Sequence, residues 1–273
     1  MPRNTLAALA LLALSNAVNA SQAAAVQTDA SQPDAPQAAL SPAAESTTAT
    51  SDFTLTANVT LASQYRYRGL MQSNNRPAIQ GGVDLVHASG FYLGNWNSSI
   101  SWLGDSNSAV SAPIEMDFYG GYKGELAPGV PVDLGVLQYY YPGDYPSGYT
   151  SPDTTELYAG IGYGPVTFKY SIALTNLFGF AESKYSQYLD LGANFDTGLW
   201  GLTLNAHVGR QIVRNVDNGS YTDWKLGVTR DMGQGLSVSL AYLDTNADRA
   251  VYTNTHGRDM GRATALLSLT KTF

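Results

Sequence analysis

Residues 53–68 read FTLTANVTLASQYRYR. In a β-strand successive side chains point to opposite faces, so positions of equal parity share a face. The odd positions carry Phe53, Leu55, Ala57, Val59, Leu61, Ser63, Tyr65 and Tyr67. The even positions carry Thr54, Thr56, Asn58, Thr60, Ala62, Gln64, Arg66 and Arg68. One face is apolar and ends in aromatics. The other is small and polar and ends in two arginines.

The same alternation recurs down the chain. Ile114, Met116, Phe118 and Tyr122 alternate with Glu115, Asp117, Tyr119 and Lys123. Leu157, Ala159 and Ile161 alternate with Glu156 and Tyr158, and Phe168, Tyr170 and Ile172 with Lys169 and Ser171. Twelve strands are predicted, starting near residues 53, 78, 91, 114, 130, 154, 166, 185, 202, 221, 236 and 261. Most run about ten residues, the length a tilted strand needs to cross a bilayer. The strand near 130–141 alternates imperfectly at Leu137 and Gln138, and a β-bulge there would restore the phase.

Connection lengths alternate as well. Those at 88–90, 125–129, 164–165, 196–201 and 231–235 are short. Those at 69–77, 103–113, 142–153, 177–184, 211–220 and 244–260 are longer. Short turns on one rim and long loops on the other are the pattern of an outer-membrane β-barrel, with the short turns periplasmic. A secreted β-sandwich also alternates, with its apolar face inward. Aromatics gathered at strand ends, such as Phe53, Tyr65, Phe91, Trp102, Tyr122 and Trp224, fit two interfacial girdles and favour the barrel. Phe273, a terminal aromatic on a strand, is the expected signal to the barrel assembly machinery. Lys271 departs from the usual apolar residue at third from last.

The ends and the composition agree with export. Arg3, the apolar run from Leu6 to Leu14 and the small residues Val18 and Ala20 read as a signal peptide over 1–20. Residues 21–51, rich in Ala, Ser, Thr, Gln and Pro, hold too little apolar surface to offset ordering entropy and are expected to form a disordered periplasmic segment. The barrel is expected over 52–273. There is no cysteine, which removes disulfides and thiolate metal sites. No mature stretch is apolar over eighteen residues, so a membrane-embedded form would have to be a closed barrel. The formal charge of −7 argues against nucleic acid as a partner.

The chain also resembles the TorF family of porin-like proteobacterial outer-membrane proteins. The matching stretches are 63–69 (SQYRYRG), 77–82 (PAIQGG), 90–94 (GFYLG), 156–158 (ELY), 188–191 (YLDL) and 268–273 (SLTKTF). They cover the chain from about 57 to 273, and the ending with Lys271 fits that family. The resemblance implies an outer-membrane, porin-like role and brings no catalytic residues.

Little in the chain suggests chemistry. His87, His207 and His256 have no metal spacing, and neither a nucleophile elbow nor a phosphate loop is present. His207 falls on the polar face, where a bonded lumen residue is the expected role; a hydrolase reading would pair it with a serine on a neighbouring strand. No cofactor or metal is expected, and Asp105, Asp144 and Asp153 read as scattered loop acids.

Twelve strands leave a lumen between the filled eight-strand barrel and the wide sixteen-strand porin, so a narrow pore is expected, with a folded-in loop as one way to constrict it. By parity the lumen receives Arg66, Arg68, Lys123, Lys169, Lys225 and Arg262 against Asp84, Glu115, Asp117, Asp133, Glu156, Asp190 and Asp223. Closure of the last strand on the first would set Arg262, Arg66 and Arg68 on one wall near the outer rim, opposite Glu115, Asp117 and Glu156. Either a transverse field at a constriction or local pairing of these charges would result. Tyr119, Tyr158 and Tyr188 also face inward, as space-fillers or as stacking platforms. The expected function is passive diffusion of small hydrophilic solutes or ions, in contact with outer-membrane lipid. The alternatives are a plugged structural or adhesive barrel and an outer-membrane lipid hydrolase.

Overall fold

A computed structural model describes residues 52–273. The expected signal peptide and leader at 1–51 lie outside the described residues. Among these, twelve strands close into an antiparallel barrel. They are β1 (Phe53–Ala62), β4 (Ala78–His87), β5 (Phe91–Ser99), β6 (Ile114–Ala127), β7 (Val130–Tyr140) and β8 (Thr154–Tyr163), followed by β9 (Val166–Ala173), β10 (Gln187–Asp196), β11 (Leu202–Ile212), β12 (Tyr221–Gly233), β13 (Leu236–Thr245) and β14 (Thr264–Thr272). Each pairs with its neighbours in sequence, and β1 closes on β14 from Asn58↔Thr272 to Ala62↔Ser268. At this seam the Thr60 and Thr270 hydroxyls bond at 2.8 Å. Two elements lie off the wall: a small hairpin of β2 (Arg66–Tyr67) and β3 (Leu70–Met71), and the helix α1 (Trp102–Ser106).

The polarity is inverted relative to a water-soluble protein. Leu55 and Leu61 on β1 are 67% and 57% exposed, whereas Thr60 between them is 4% exposed. The pattern repeats with Leu93, Leu134, Leu191 and Leu240 outward and Gln80, Ser98, Asp190 and Thr229 inward. A sandwich would bury those leucines. A barrel whose whole girth is apolar has an exterior suited to hydrocarbon, with every wall strand paired and no open edge.

The short connections are tight turns. In 234–235 both Gln234 (φ 55°) and Gly235 (φ 75°) are left-handed, the requirement of a hairpin turn that follows strand twist.

Two expectations need correction. Leu137 and Gln138 do not mark a bulge, for the β6–β7 register runs unbroken from Gly124↔Val132 to Met116↔Tyr140. Leu137 faces inward and is buried in an aromatic cluster; Gln138 faces outward, where it accepts a bond from the Thr155 hydroxyl at 2.5 Å. The shift in the ladder lies at Glu125/Ala127, beside the short turn. The second correction concerns the first strand. It leaves the wall after Ala62, and 63–77 turns into the lumen, so Arg66 and Arg68 belong to the inner hairpin and not to β1.

Candidate functional site

The inner hairpin is the organising feature of the lumen. Arg66 pairs with Met71 and Tyr67 with Leu70, which leaves Arg68 and Gly69 as the turn, at φ 45° and 75°. A left-handed arginine is strained. Gly69 has no room for a side chain: an added Cβ would lie 2.8 Å from the Asp223 Cβ and closer still to Thr245. The hairpin therefore starts at β1 and ends against β12 and β13.

Arg68 occupies the tip and is 1% exposed. Its Nη1 and Nη2 donate to Glu156 Oε1 and Oε2 at 3.0 and 2.8 Å, and Nη1 also donates to Gln211 Oε1 at 2.9 Å. The guanidinium lies 4.1 Å above the Tyr188 ring. A two-pronged guanidinium–carboxylate bond is strong and orienting, and the ring adds a cation–π contact. The sides of the hairpin are held as well. Tyr65 Oη donates to Glu115 Oε1 at 2.9 Å, and the Tyr67 and Tyr139 hydroxyls bond at 2.7 Å. Arg66 is bonded to neutral oxygens: the Met260 carbonyl at 2.8 Å, Asn75 Oδ1 at 2.7 Å and Gln64 Oε1 at 2.9 Å.

Of the expected arginine wall, Arg68 meets the acidic side directly and Arg66 stays near β14. Arg262 is exposed and precedes β14; its carbonyl accepts from Arg66 at 3.4 Å. The strand begins two residues after it, so Arg262 stands on the last long connection and not on β14. The acidic side is placed where parity put it, with Glu115 and Asp117 on β6 and Glu156 on β8, all nearly fully buried. Neither Asp117 carboxylate oxygen has a hydrogen-bond partner among the described residues.

Below the hairpin the lumen carries tyrosines that lie across glycines of the adjoining strand. Cβ atoms added at Gly94, Gly135 and Gly209 would lie within 2.4 Å of Tyr119, Tyr158 and Tyr188 atoms respectively. The rings thus lie along the wall, each over a residue with no side chain. Tyr119 Oη donates to Asp84 Oδ1 at 2.7 Å; Tyr92 Oη donates to Asp133 Oδ1 at 2.6 Å and also contacts the Tyr158 hydroxyl. Lys123 and Lys169 sit 4.7 and 5.2 Å from the Tyr92 and Tyr158 ring centres. On the opposite wall His207 Nδ1 lies 2.8 Å from Asp190 and Nε2 2.7 Å from Asp223, with Lys225 its cross-strand neighbour. Carboxylates hold both ring nitrogens, which leaves neither to act as a base toward a serine.

The hairpin and the tyrosine–glycine pairs escaped sequence reasoning. For the first, the signal was the Arg68-Gly69 dipeptide between two short alternating runs. For the second it was the glycines standing at inward parity.

A family profile described as "Bacterial protein of unknown function (Gcw_chp)" matches residues 46–273. No curated protein sequence matches the chain. Among solved structures, the KdgM porin in complex with disordered oligogalacturonate is similar at a TM-score of 0.52 and 8% identity, over 80% of this chain and 99% of that one. A second KdgM porin structure gives 0.51 and 7%, over the same shares of each chain. The NanC porin gives 0.48 and 10%, over 81% and 99%. At these identities the KdgM likeness concerns the fold alone: a closed barrel of outer-membrane porin type. The chain belongs to the Gcw_chp family, a bacterial family of unknown function.

Proposed function

We propose that this protein is an outer-membrane channel for passive diffusion of small hydrophilic solutes or ions, narrowed by its own inward hairpin. The observation that carries the reading is the charged lumen inside an apolar barrel. Arg66, Arg68, Glu115, Asp117 and Glu156 form the constriction, and Asp84, Lys169, Asp190 and Lys225 the wider part below it. The TorF resemblance, with its porin-like role, supports the same reading. Export by a cleaved signal peptide, insertion by the assembly machinery acting on β14 and the Phe273 that follows it, and contact with outer-membrane lipid belong to it. The channel performs no reaction.

One observation favours a second reading, a plugged structural or adhesive barrel: the Arg68–Glu156 bond ties the hairpin tip to the wall. Single-channel recording separates the two. Residues 21–273, refolded and inserted into a planar bilayer, are expected to give discrete, stable conductance steps. A folded, heat-modifiable barrel without steps would establish the plug.

A further inference from the structure

Above the hairpin, on the long-loop rim, lies a cavity of about 380 Å³. That is within the range of small-molecule sites. All six long connections contribute to it. The rings of Tyr67, Trp102, Tyr141, Phe178, Phe180 and Tyr252 dominate its lining, and Gln72, Gln211 and Asn254 supply amides. Among the described residues none that lines it is acidic or basic. The lumen a few residues below is charged throughout, so the neutrality is local.

The cavity is preformed. Ser101 and Trp102 both donate their backbone N–H to the Gln72 carbonyl, at 2.9 and 3.0 Å, which fixes α1 to the hairpin. Thr255 N–H donates to the Asp105 carbonyl at 3.0 Å, joining the last loop to α1. Trp102 meets Tyr141 edge-on at 5.7 Å, and Tyr221 meets Tyr252 at 5.2 Å, so the rings hold one another. Burial pushes the Tyr149 and Tyr252 phenols up, which keeps both protonated. The Trp102 indole N–H is buried with no acceptor among the described residues. An acceptor brought by a ligand would complete this donor.

We propose that this vestibule is a binding site for an uncharged mono- or disaccharide, which it selects before the constriction. A charged solute entering it would lose water, and the guanidinium behind the wall, Arg68 on Gln211, is already neutralised by Glu156. A neutral sugar keeps its balance: C–H faces lie on the rings, and hydroxyls bond the Gln72 and Asn254 amides and the indole N–H. The proposal rests on the channel reading and adds the solute class to it.

The test uses the refolded chain 21–273 in detergent. Maltose, digalacturonate and benzyl alcohol are titrated against tryptophan fluorescence and by calorimetry, beside the bilayer recordings. Saturable maltose binding is expected, weakened about tenfold by Trp102→Ala, the loss of one well-packed aromatic contact. Phe180→Ala is the second variant should Trp102→Ala fail to fold. Digalacturonate is expected to bind more weakly than maltose, and to follow neither variant. Absence of saturable maltose binding overturns the proposal, as does equal or tighter binding of digalacturonate or benzyl alcohol. Maltose affinity that neither variant changes also overturns it. Conductance without maltose binding would sink the sugar site and leave the channel. Maltose binding without conductance would sink the channel and leave the site.

Discussion

Arg68 bonds Glu156 on β8 from a hairpin rooted at β1, nearly opposite in the barrel: four wall strands separate β1 from β8 by one route round and six by the other. The hairpin is thus held as a strut and not as a flap. Removing one partner of a buried ion pair leaves the other uncompensated, at about 3–5 kcal/mol. Arg68→Ala is therefore expected to destabilise the barrel by that order and to free the hairpin tip, giving larger and noisier conductance. Arg68→Met combined with Glu156→Leu removes both charges and is expected to recover most of the stability while the lumen stays loosened. Urea unfolding midpoints and single-channel traces check both. Unchanged conductance in both would show that the hairpin does not set the pore.

Tyr188 holds its place because Gly209 has no side chain. An added Cβ would fall within van der Waals overlap of the phenol and 2.8 Å from Asp223 Oδ1. Gly209→Ala is expected to push the ring from beneath Arg68, at about 1–3 kcal/mol as in other overpacked sites. Gly192→Ala on the same lumen face meets only Thr167 Oγ1, at 3.1 Å, and atoms near 4 Å. It is expected to be close to neutral. Paired unfolding curves test the contrast, and equal effects would refute the ring-over-glycine account.

In the proposed channel Asp117 is a buried carboxyl of the constriction, with no hydrogen-bond partner among the described residues. Asp117→Asn lowers the desolvation cost, since a neutral amide is less expensive to bury than a carboxylate. The variant is expected to be more stable than the parent by about 1 kcal/mol, read from urea unfolding midpoints. A strongly destabilised variant would mean that the charge has a partner it needs.

The barrel was legible because closure imposes its rules locally. Alternation reports the face, strand length the span and connection length the rim, and the strand starts agree to within three residues. The hairpin was not legible for a related reason. Tyr65, Arg66, Tyr67 and Arg68 continue to alternate after the chain leaves the wall, because the hairpin is itself a strand pair. Period two tells which side a residue faces, not which sheet it belongs to. Leu137 misled in the opposite way: the hairpin brings Tyr65 and Tyr67 against it and Tyr139, so an inward leucine has an aromatic cluster to pack in although its cross-strand neighbour is Glu156. The Arg68–Glu156 pair spans 88 positions, and nothing short-range announces it.

The lipid-facing assignment has its own test, at Leu191. This residue sits mid-strand on β10, points outward and is 47% exposed. If that face met water, arginine there would change stability by no more than about 0.5 kcal/mol, as surface substitutions usually do. In a bilayer, arginine on the outer face near the midplane costs about 2–4 kcal/mol. Leu191→Arg, unfolded by denaturant from phospholipid vesicles, is expected to lose stability on that scale, while Leu191→Val stays near the parent. The penalty should fall for arginine placed at Leu199, in a short turn at the rim, because the hydrocarbon ends there. A penalty that is small at Leu191, or equal at both positions, would remove the barrel from the membrane.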